Sequence, residues 1–286
     1  MNQCKRQPPH GEQTLGPRDY LSGVRPVWCA GCGDFGVLKA ITKALAALGL
    51  PPERVALVAG IGCSSRIPAY LSVYGLHGVH GRALPAASGL AAVRPDITVL
   101  AASGDGDAFS IGAGHFLHAC RRDPNLTCLV MDNAVYGMTK GQPSPTTESG
   151  WQASAMAPDG HDQDPLPPLE LAVTAGAGFV ARGFSGDPNG LAGLIEAGIR
   201  HPGFAFIQIL SPCPTFRPEQ MEYKKRVRSG FTETGKRREA AIQLLEDDGF
   251  TTGLLLREPR TPRPGDSSPA STGPEDIAAG FRIKRD

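Results

Sequence analysis

Gly104-Asp105-Gly106 is followed, after 26 residues, by Asn133 in the run Met131-Asp132-Asn133-Ala134-Val135. This pairing constrains the fold more than any other feature of the chain. Ile97–Ala102 is a short apolar run leading into the glycine turn, Ser110–Arg122 has a helical pattern, and Leu126–Met131 is the next apolar run. A carboxylate therefore follows one strand, and an amide beside a free backbone carbonyl follows the next. Together these are hard oxygen donors of the kind Mg²⁺ takes when it also holds phosphate groups. The glycines let the backbone come close to a diphosphate. A lone GDG could be an ordinary hairpin turn; Asn133 at this distance, with a strand leading into each half, argues against that.

The same alternation runs through much of the chain. Asp34 can open a helix reaching about Leu48, with Phe35, Leu38, Ile41, Leu45 and Leu48 on one face, stopped by Gly49 and Pro51-Pro52. Val55–Ala59 suits a buried parallel strand. Pro168–Ala175 reads as helix, Phe179–Ala181 as strand, Asn189–Arg200 as helix and Phe204–Leu210 as strand. Residues 139–168 are polar and proline-rich, too long for an ordinary connection. The expected fold is α/β, a doubly wound and mostly parallel sheet. Cys63, Asp105, Asn133 and Cys213 all fall just after expected strands, at the carboxyl edge where such sheets bind ligands.

Seven cysteines form a second constellation. Cys29-Ala-Gly-Cys32 is a C-x-x-C, which serves a redox pair, zinc or a cluster. Cys63 lies in Gly60-Ile61-Gly62-Cys63-Ser64-Ser65-Arg66 and Cys213 in Leu210-Ser211-Pro212-Cys213-Pro214. The glycine and proline turns around these four favour a [4Fe-4S] site over structural zinc. Cys120 and Cys128 sit in apolar runs and read as buried hydrophobes; Cys4, in a polar leader, reads as unligated.

The runs WCAGCGDFGVLKA, GIGCSSRIPAY, HGVHGRALPAASGLA, GDGDAFSIGAGHFLHACRR, MDNAVYGMTKGQPSPTT, ARGFSGDPNGL and LSPCPTF resemble the β subunit of the 2-oxoacid:ferredoxin oxidoreductases. The resemblance covers about residues 20–217, and its CSSR and TKGQ forms look like the 2-oxoglutarate branch. It implies a thiamine-diphosphate-binding domain over residues 18–217, after a leader at 1–17. A partly helical extension would follow at 218–257 and a disordered tail at 258–286. The implied reaction is oxidative decarboxylation of a 2-oxoacid with coenzyme A, the electrons leaving through the cluster to ferredoxin. The rival readings are a non-oxidative thiamine-diphosphate decarboxylase component and a cluster-carrying electron-transfer subunit.

Residue by residue, the resemblance implies that Asp105 and Asn133 give side-chain oxygens, and Val135 its carbonyl, to Mg²⁺. Ile61, Gly62, Cys63, Ser64, His80, Gly106, Asp107, Gly137 and Met138 would approach the cofactor. Cys29, Cys32, Cys63 and Cys213 would hold the [4Fe-4S] cluster. Arg66 and Lys140 are candidates for a distal substrate carboxylate. The glutamate that activates the cofactor belongs to a partner α subunit in this family; Glu148 and Glu170 lie in no matching context, so the chain is expected to be inactive alone. Ala134 and Pro143 depart from the family pattern without removing a ligand.

Composition excludes more than it identifies. A formal net charge of +1 gives no case for nucleic acid. No apolar run approaches the roughly 20 residues of a membrane span, and residues 1–17 lack a secretory apolar core. An odd number of cysteines in a chain this long fits a reducing cytoplasm better than a disulfide framework.

Overall fold

A computed structural model describes residues 15–152 and 157–258. Most of the expected leader, with Cys4, and all but the first residue of the expected tail lie outside the described residues.

Among the described residues, eight strands form one sheet: β1 Val55–Ala59, β2 Tyr74–His77, β3 Thr98–Gly104, β4 Leu126–Asp132, β5 Phe179–Phe184, β6 Phe204–Leu210, β7 Arg228–Ser229 and β8 Thr251–Arg257. Their order is β2-β1-β3-β4-β6-β5-β8-β7, parallel throughout except for β5 against β8. Alternating strand residues face two cores. Val55, Leu57 and Ala59 pack with α1 (Asp34–Ala47) and α6 (Pro188–Arg200). Ala56 and Val58 pack with α2 (Ala83–Val93), α4 (Ala113–Arg122) and α5 (Pro168–Ala175). Helices thus cover both faces, as near-continuous apolar strands such as Leu126–Asp132 require. Cys120 and Cys128 are fully buried in the second core.

The structure departs from the sequence expectation in three places. Asp105–Phe109 is already helical (α3), and Ser110, at φ −91° and ψ −105°, leaves the helical region, so the expected helix from Ser110 begins only at Ala113. Phe35 turns away from the core stripe of α1 and packs edge-on to Trp28, with ring centroids 5.2 Å apart. Residues 218–257 are also more than a helical extension. Besides α7 (Tyr223–Arg226) and α8 (Arg237–Leu245) they supply β8, which pairs with β5 across a register shift at Val180/Ala181. Among the described residues no helix is long and apolar enough to cross a membrane.

Candidate active site

The carboxyl ends of β1, β3 and β4 open onto a cavity of about 420 Å³. Ile61, Gly62, Cys63 and Ser64 reach it after β1, and His80 after β2. Asp105, Gly106 and Asp107 follow β3; Asn133, Val135, Gly137 and Met138 follow β4. Each residue expected to approach the diphosphate or Mg²⁺ lies on this one wall, because a parallel sheet brings its strand ends to a single edge.

Asp105 is buried. Its Oδ2 accepts hydrogen bonds from the hydroxyls of Ser144 and Thr146, the latter at 2.8 Å. The same Thr146 hydroxyl is 2.8 Å from Asp132 Oδ1, and its one proton can serve only one of the two carboxylates. Asp132 is held on its other side by Gln208 Nε2 at 2.7 Å, and Gln208 Oε1 accepts from Arg182 Nε at 2.9 Å. Burial, then the neighbouring Asp132 charge, pushes the Asp105 carboxyl above the usual carboxylate range; the hydroxyls pull it back in part. Among the described residues no cationic side chain donates to Asp105. A cation at this carboxylate would offset both the desolvation and the like charge.

Asn133 and Val135 complete the hard-oxygen set. Asn133 Oδ1 accepts the Val135 amide at 3.2 Å. Between them Ala134 takes φ +51°, a left-handed conformation that costs a residue with a β-carbon roughly 1–2 kcal/mol. The Ala134 carbonyl is clamped by Thr147 Oγ1 at 2.8 Å and Arg217 Nη1 at 2.9 Å. Arg217 is buried, paired with Glu148 and Glu219, and stacked over Trp151 at 4.5 Å. One carboxylate, one amide oxygen and one carbonyl, with room left for phosphate oxygens, fit Mg²⁺.

Asp107 has a different task. Its Oδ1 accepts the amides of Ile61 at 3.0 Å and Gly81 at 2.7 Å, and the Ser103 hydroxyl reaches its other oxygen. His80 Nδ1 lies 2.9 Å from Oδ1, turned off the axis of a good hydrogen bond. Asp107 therefore ties the loops after β1 and β2 to the helix after β3. Gly60 permits this: a β-carbon there would lie 2.0 Å from Asp107 Oδ2. Gly106 packs as closely, since a β-carbon would lie 2.2 Å from the Tyr136 ring, and the Tyr136 hydroxyl donates to the Gly106 carbonyl at 3.1 Å.

The four candidate cluster thiols lie on three loops at the same edge. The Cys32 amide donates to the Cys29 carbonyl at 3.1 Å, closing the C-x-x-C turn. Gly33 N–H to the Pro212 carbonyl at 3.0 Å, and Ser211 Oγ to Asp34 Oδ1 at 2.9 Å, tie that turn to the Cys213 loop. A β-carbon placed on Gly137 would be 3.7 Å from Cys213 Sγ and 3.9 Å from Cys63 Sγ, so both sulfurs lie beside Gly137 at the cavity wall. Burial pushes the Cys63 thiol up to about 11; Asp34, Cys213 and Cys29 push the same way and Arg66 opposes them. Burial, then Asp34, also raises Cys32. Among the described residues no three His, Cys, Asp or Glu side chains stand close enough to share one ion. Four sulfurs around a single zinc would lie only about 3.8 Å apart, from bonds of about 2.3 Å; a cubane cluster holds them on a wider frame.

The two cations expected at a distal carboxylate are placed less directly. Lys140 is exposed and does not line the cavity, but its turn does, through Thr139 and Gln142. Lys140 takes φ +76° in a turn closed by Gly141 N–H to the Tyr136 carbonyl at 2.9 Å and Tyr136 N–H to the Gln142 carbonyl at 2.9 Å. Arg66 is exposed, absent from the cavity wall, and acts electrostatically on Cys63. Tyr136, Ser144, Thr146, Thr147, Gln208, Arg217 and Gln220 also shape the site. The serine and threonines belong to the SPTT run, where hydroxyls following the Asn133 loop are the local signal. Gln220 and Arg217 carry none.

Residues 60–209 match the family described as thiamine pyrophosphate enzyme, C-terminal TPP binding domain. The chain is 45% identical over 208 residues to the 2-oxoglutarate oxidoreductase subunit KorB of Mycobacterium tuberculosis, covering 73% of this chain and 56% of that protein. It is 45% identical over 199 residues to the β subunit of 2-oxoacid:ferredoxin oxidoreductase 2 of Aeropyrum pernix, covering 69% and 64%. The match thus spans less than two thirds of those relatives' own length. A solved structure of the 2-oxoglutarate:ferredoxin oxidoreductase from Magnetococcus marinus, with 2-oxoglutarate, coenzyme A and succinyl-CoA bound, superposes with a TM-score of 0.83 at 40% identity, covering 89% of this chain and 88% of that one. With its parallel sheet, its GDG–Asn133 edge and these matches, the chain belongs to the β-subunit family of the 2-oxoacid:ferredoxin oxidoreductases, built on a thiamine pyrophosphate-binding domain.

Proposed function

We propose that this chain, with a partner α subunit, decarboxylates 2-oxoglutarate or a related 2-oxoacid oxidatively, giving acyl-CoA, CO₂ and reduced ferredoxin. The observation that carries the reading is one cavity with Asp105, Asn133 and Val135 on its wall beside Cys63, and the Cys213 sulfur next to Gly137. Oxygen donors and thiols serving two different cofactors then stand around the same space.

Bound thiamine diphosphate supplies an electron sink for the loss of CO₂ from a 2-oxoacid. This chain's residues hold and orient it. Asp105, Asn133 and the Val135 carbonyl anchor the diphosphate through Mg²⁺. Asp107 fixes the loops that shape the cavity floor, and Tyr136 buttresses Gly106. Cys29, Cys32, Cys63 and Cys213 would hold the [4Fe-4S] cluster, which would supply the one-electron acceptor. Lys140, on the rim turn, meets the distal carboxylate of the dicarboxylate substrate, and Arg66, exposed and near enough to act electrostatically on Cys63, is the second cation for it. The α subunit contributes the activating glutamate, since Glu148 is committed to Arg217 and Glu170 lies in α5, outside the cavity wall.

The test is to purify the chain anaerobically with a cognate α subunit and to follow coenzyme A-dependent ferredoxin reduction with 2-oxoglutarate and pyruvate. Faster reduction with 2-oxoglutarate supports the reading. A complex that releases CO₂ without reducing any acceptor would assign it to non-oxidative decarboxylation instead.

A further inference from the structure

Gln220 lies three residues beyond the stretch that resembles the family, in a short turn at Pro218–Glu222, and is 1% exposed. Its side-chain amide is satisfied at both ends. Oε1 accepts the Cys213 amide at 3.0 Å, and Nε2 donates to the Asn133 carbonyl at 2.7 Å. Two main-chain groups distant in sequence, one on a candidate cluster ligand and one on a candidate Mg²⁺ ligand, thus share one buried side chain. Nearby contacts run the same way: Arg217 N–H donates to the Cys213 carbonyl at 2.9 Å while its guanidinium clamps the Ala134 carbonyl.

The metal-binding loop needs such support. Ala134 is held left-handed, and the peptide joining Asn133 to Ala134 is fixed at its carbonyl by Gln220 and at its amide by Asp132 Oδ1 at 3.2 Å. Releasing the carbonyl lets that peptide relax toward an ordinary conformation, which would turn the Asn133 side chain and the Val135 carbonyl away from the cavity. We propose that Gln220 is a positioning residue that locks the Mg²⁺ loop to the cluster loop, so that the two cofactors sit at a fixed separation; this rests on the function proposed above. Gln is suited to the task because one planar group both donates and accepts.

The test uses the anaerobic complex with its α subunit and two variants of opposite design. Gln220→Glu keeps an acceptor for the Cys213 amide but sets a carboxylate oxygen against the Asn133 carbonyl. It is expected to weaken thiamine diphosphate binding in Mg²⁺ by about tenfold or more, since a donor to a buried acceptor is lost. Iron content and the electron paramagnetic resonance signal of the reduced cluster should stay as in the wild type. Gln220→Met keeps the shape and loses both bonds. It is expected to weaken thiamine diphosphate binding by several-fold and also to speed iron release to a chelator. Wild-type thiamine diphosphate affinity in Gln220→Glu would overturn the proposal, as would loss of iron with no change in thiamine diphosphate affinity in both variants. If Gln220→Met does not fold, Gln220→Glu alone decides, by whether its two readouts separate. A wild-type complex that binds neither iron nor thiamine diphosphate would overturn the functional reading beneath it, a result recognisable before any variant is made.

Discussion

Replacing Asp105 by asparagine should move stability and cofactor binding in opposite directions. Asp105 is buried beside Asp132, accepts only from hydroxyls and one amide, and has its carboxyl raised by burial and by that neighbour. Ionised Asp105 therefore costs the cofactor-free fold free energy at neutral pH. Asparagine keeps the size and an oxygen for Ser144 and Thr146 while removing the charge. Replacing buried ion pairs by neutral groups of similar volume is neutral to stabilising by up to about 4 kcal/mol; a carboxylate with no cation beside it should fall on the stabilising side, and for a chain of this size each kcal/mol raises Tm by about 2–4 °C. The same change takes the charge from the proposed Mg²⁺ ligand. A charge-assisted contact contributes about 1.5–3 kcal/mol, so the affinity for thiamine diphosphate should fall about 10- to 150-fold. The assay pairs thermal unfolding in EDTA with calorimetric titration of thiamine diphosphate in Mg²⁺. A lower Tm in EDTA would show that the fold itself satisfies the Asp105 charge, and unchanged affinity would remove Asp105 from the metal site. Either result refutes the reasoning.

Three further outcomes are expected. Cys213→Ala should lose the cluster's iron and visible absorption while Cys120→Ala keeps both, because Cys120 lies in the apolar core away from the other candidate thiols; iron analysis of anaerobic protein checks this, and stoichiometric zinc in place of iron would contradict it. Lys140→Ala should lower kcat/KM for 2-oxoglutarate about ten- to a hundredfold, and far less for pyruvate, which has no second carboxylate; equal losses would assign Lys140 to the partner interface. Gly106→Ala should push Tyr136 off the Gly106 carbonyl, costing about 1–3 kcal/mol of overpacking, and weaken thiamine diphosphate binding about 5- to 150-fold; Tyr136→Ala in the same chain should recover much of that loss by clearing the space.

Much of the frame was legible because parallel strands buried on both faces announce themselves as apolar runs. Val55–Ala59 and Phe204–Leu210 have the same bounds in sequence and structure, and the turns after them place the candidate ligands without further assumption. What was not legible depends on long-range polar partners. Nothing local marks Arg217 as buried or Gln220 as a bridge, because the Ala134 and Asn133 carbonyls they hold lie 83 and 87 residues away. Asp107 follows GDG and lines the cavity as the sequence suggests, but nothing local shows that its carboxylate also accepts the Ile61 and Gly81 amides. β8 is obscured by Gly253, a residue type depleted in strands, and its place in the sheet is set by its pairing with β5 and β7 rather than by a local pattern. The placement of Lys140 and Arg66 outside the cavity wall follows from a general limit: a motif gives a residue's neighbours in sequence, not the direction of a long side chain.

On the function proposed here, one cavity brings a 2-oxoacid's electrons to a cluster held by Cys29, Cys32, Cys63 and Cys213. The decisive experiment adds 2-oxoglutarate to the anaerobic α–β complex, loaded with thiamine diphosphate, Mg²⁺ and coenzyme A, and records the electron paramagnetic resonance spectrum. The signal of a reduced [4Fe-4S] cluster should appear and should depend on both 2-oxoglutarate and thiamine diphosphate. An iron-loaded complex that dithionite reduces but 2-oxoglutarate leaves silent, with thiamine diphosphate bound, would contradict it.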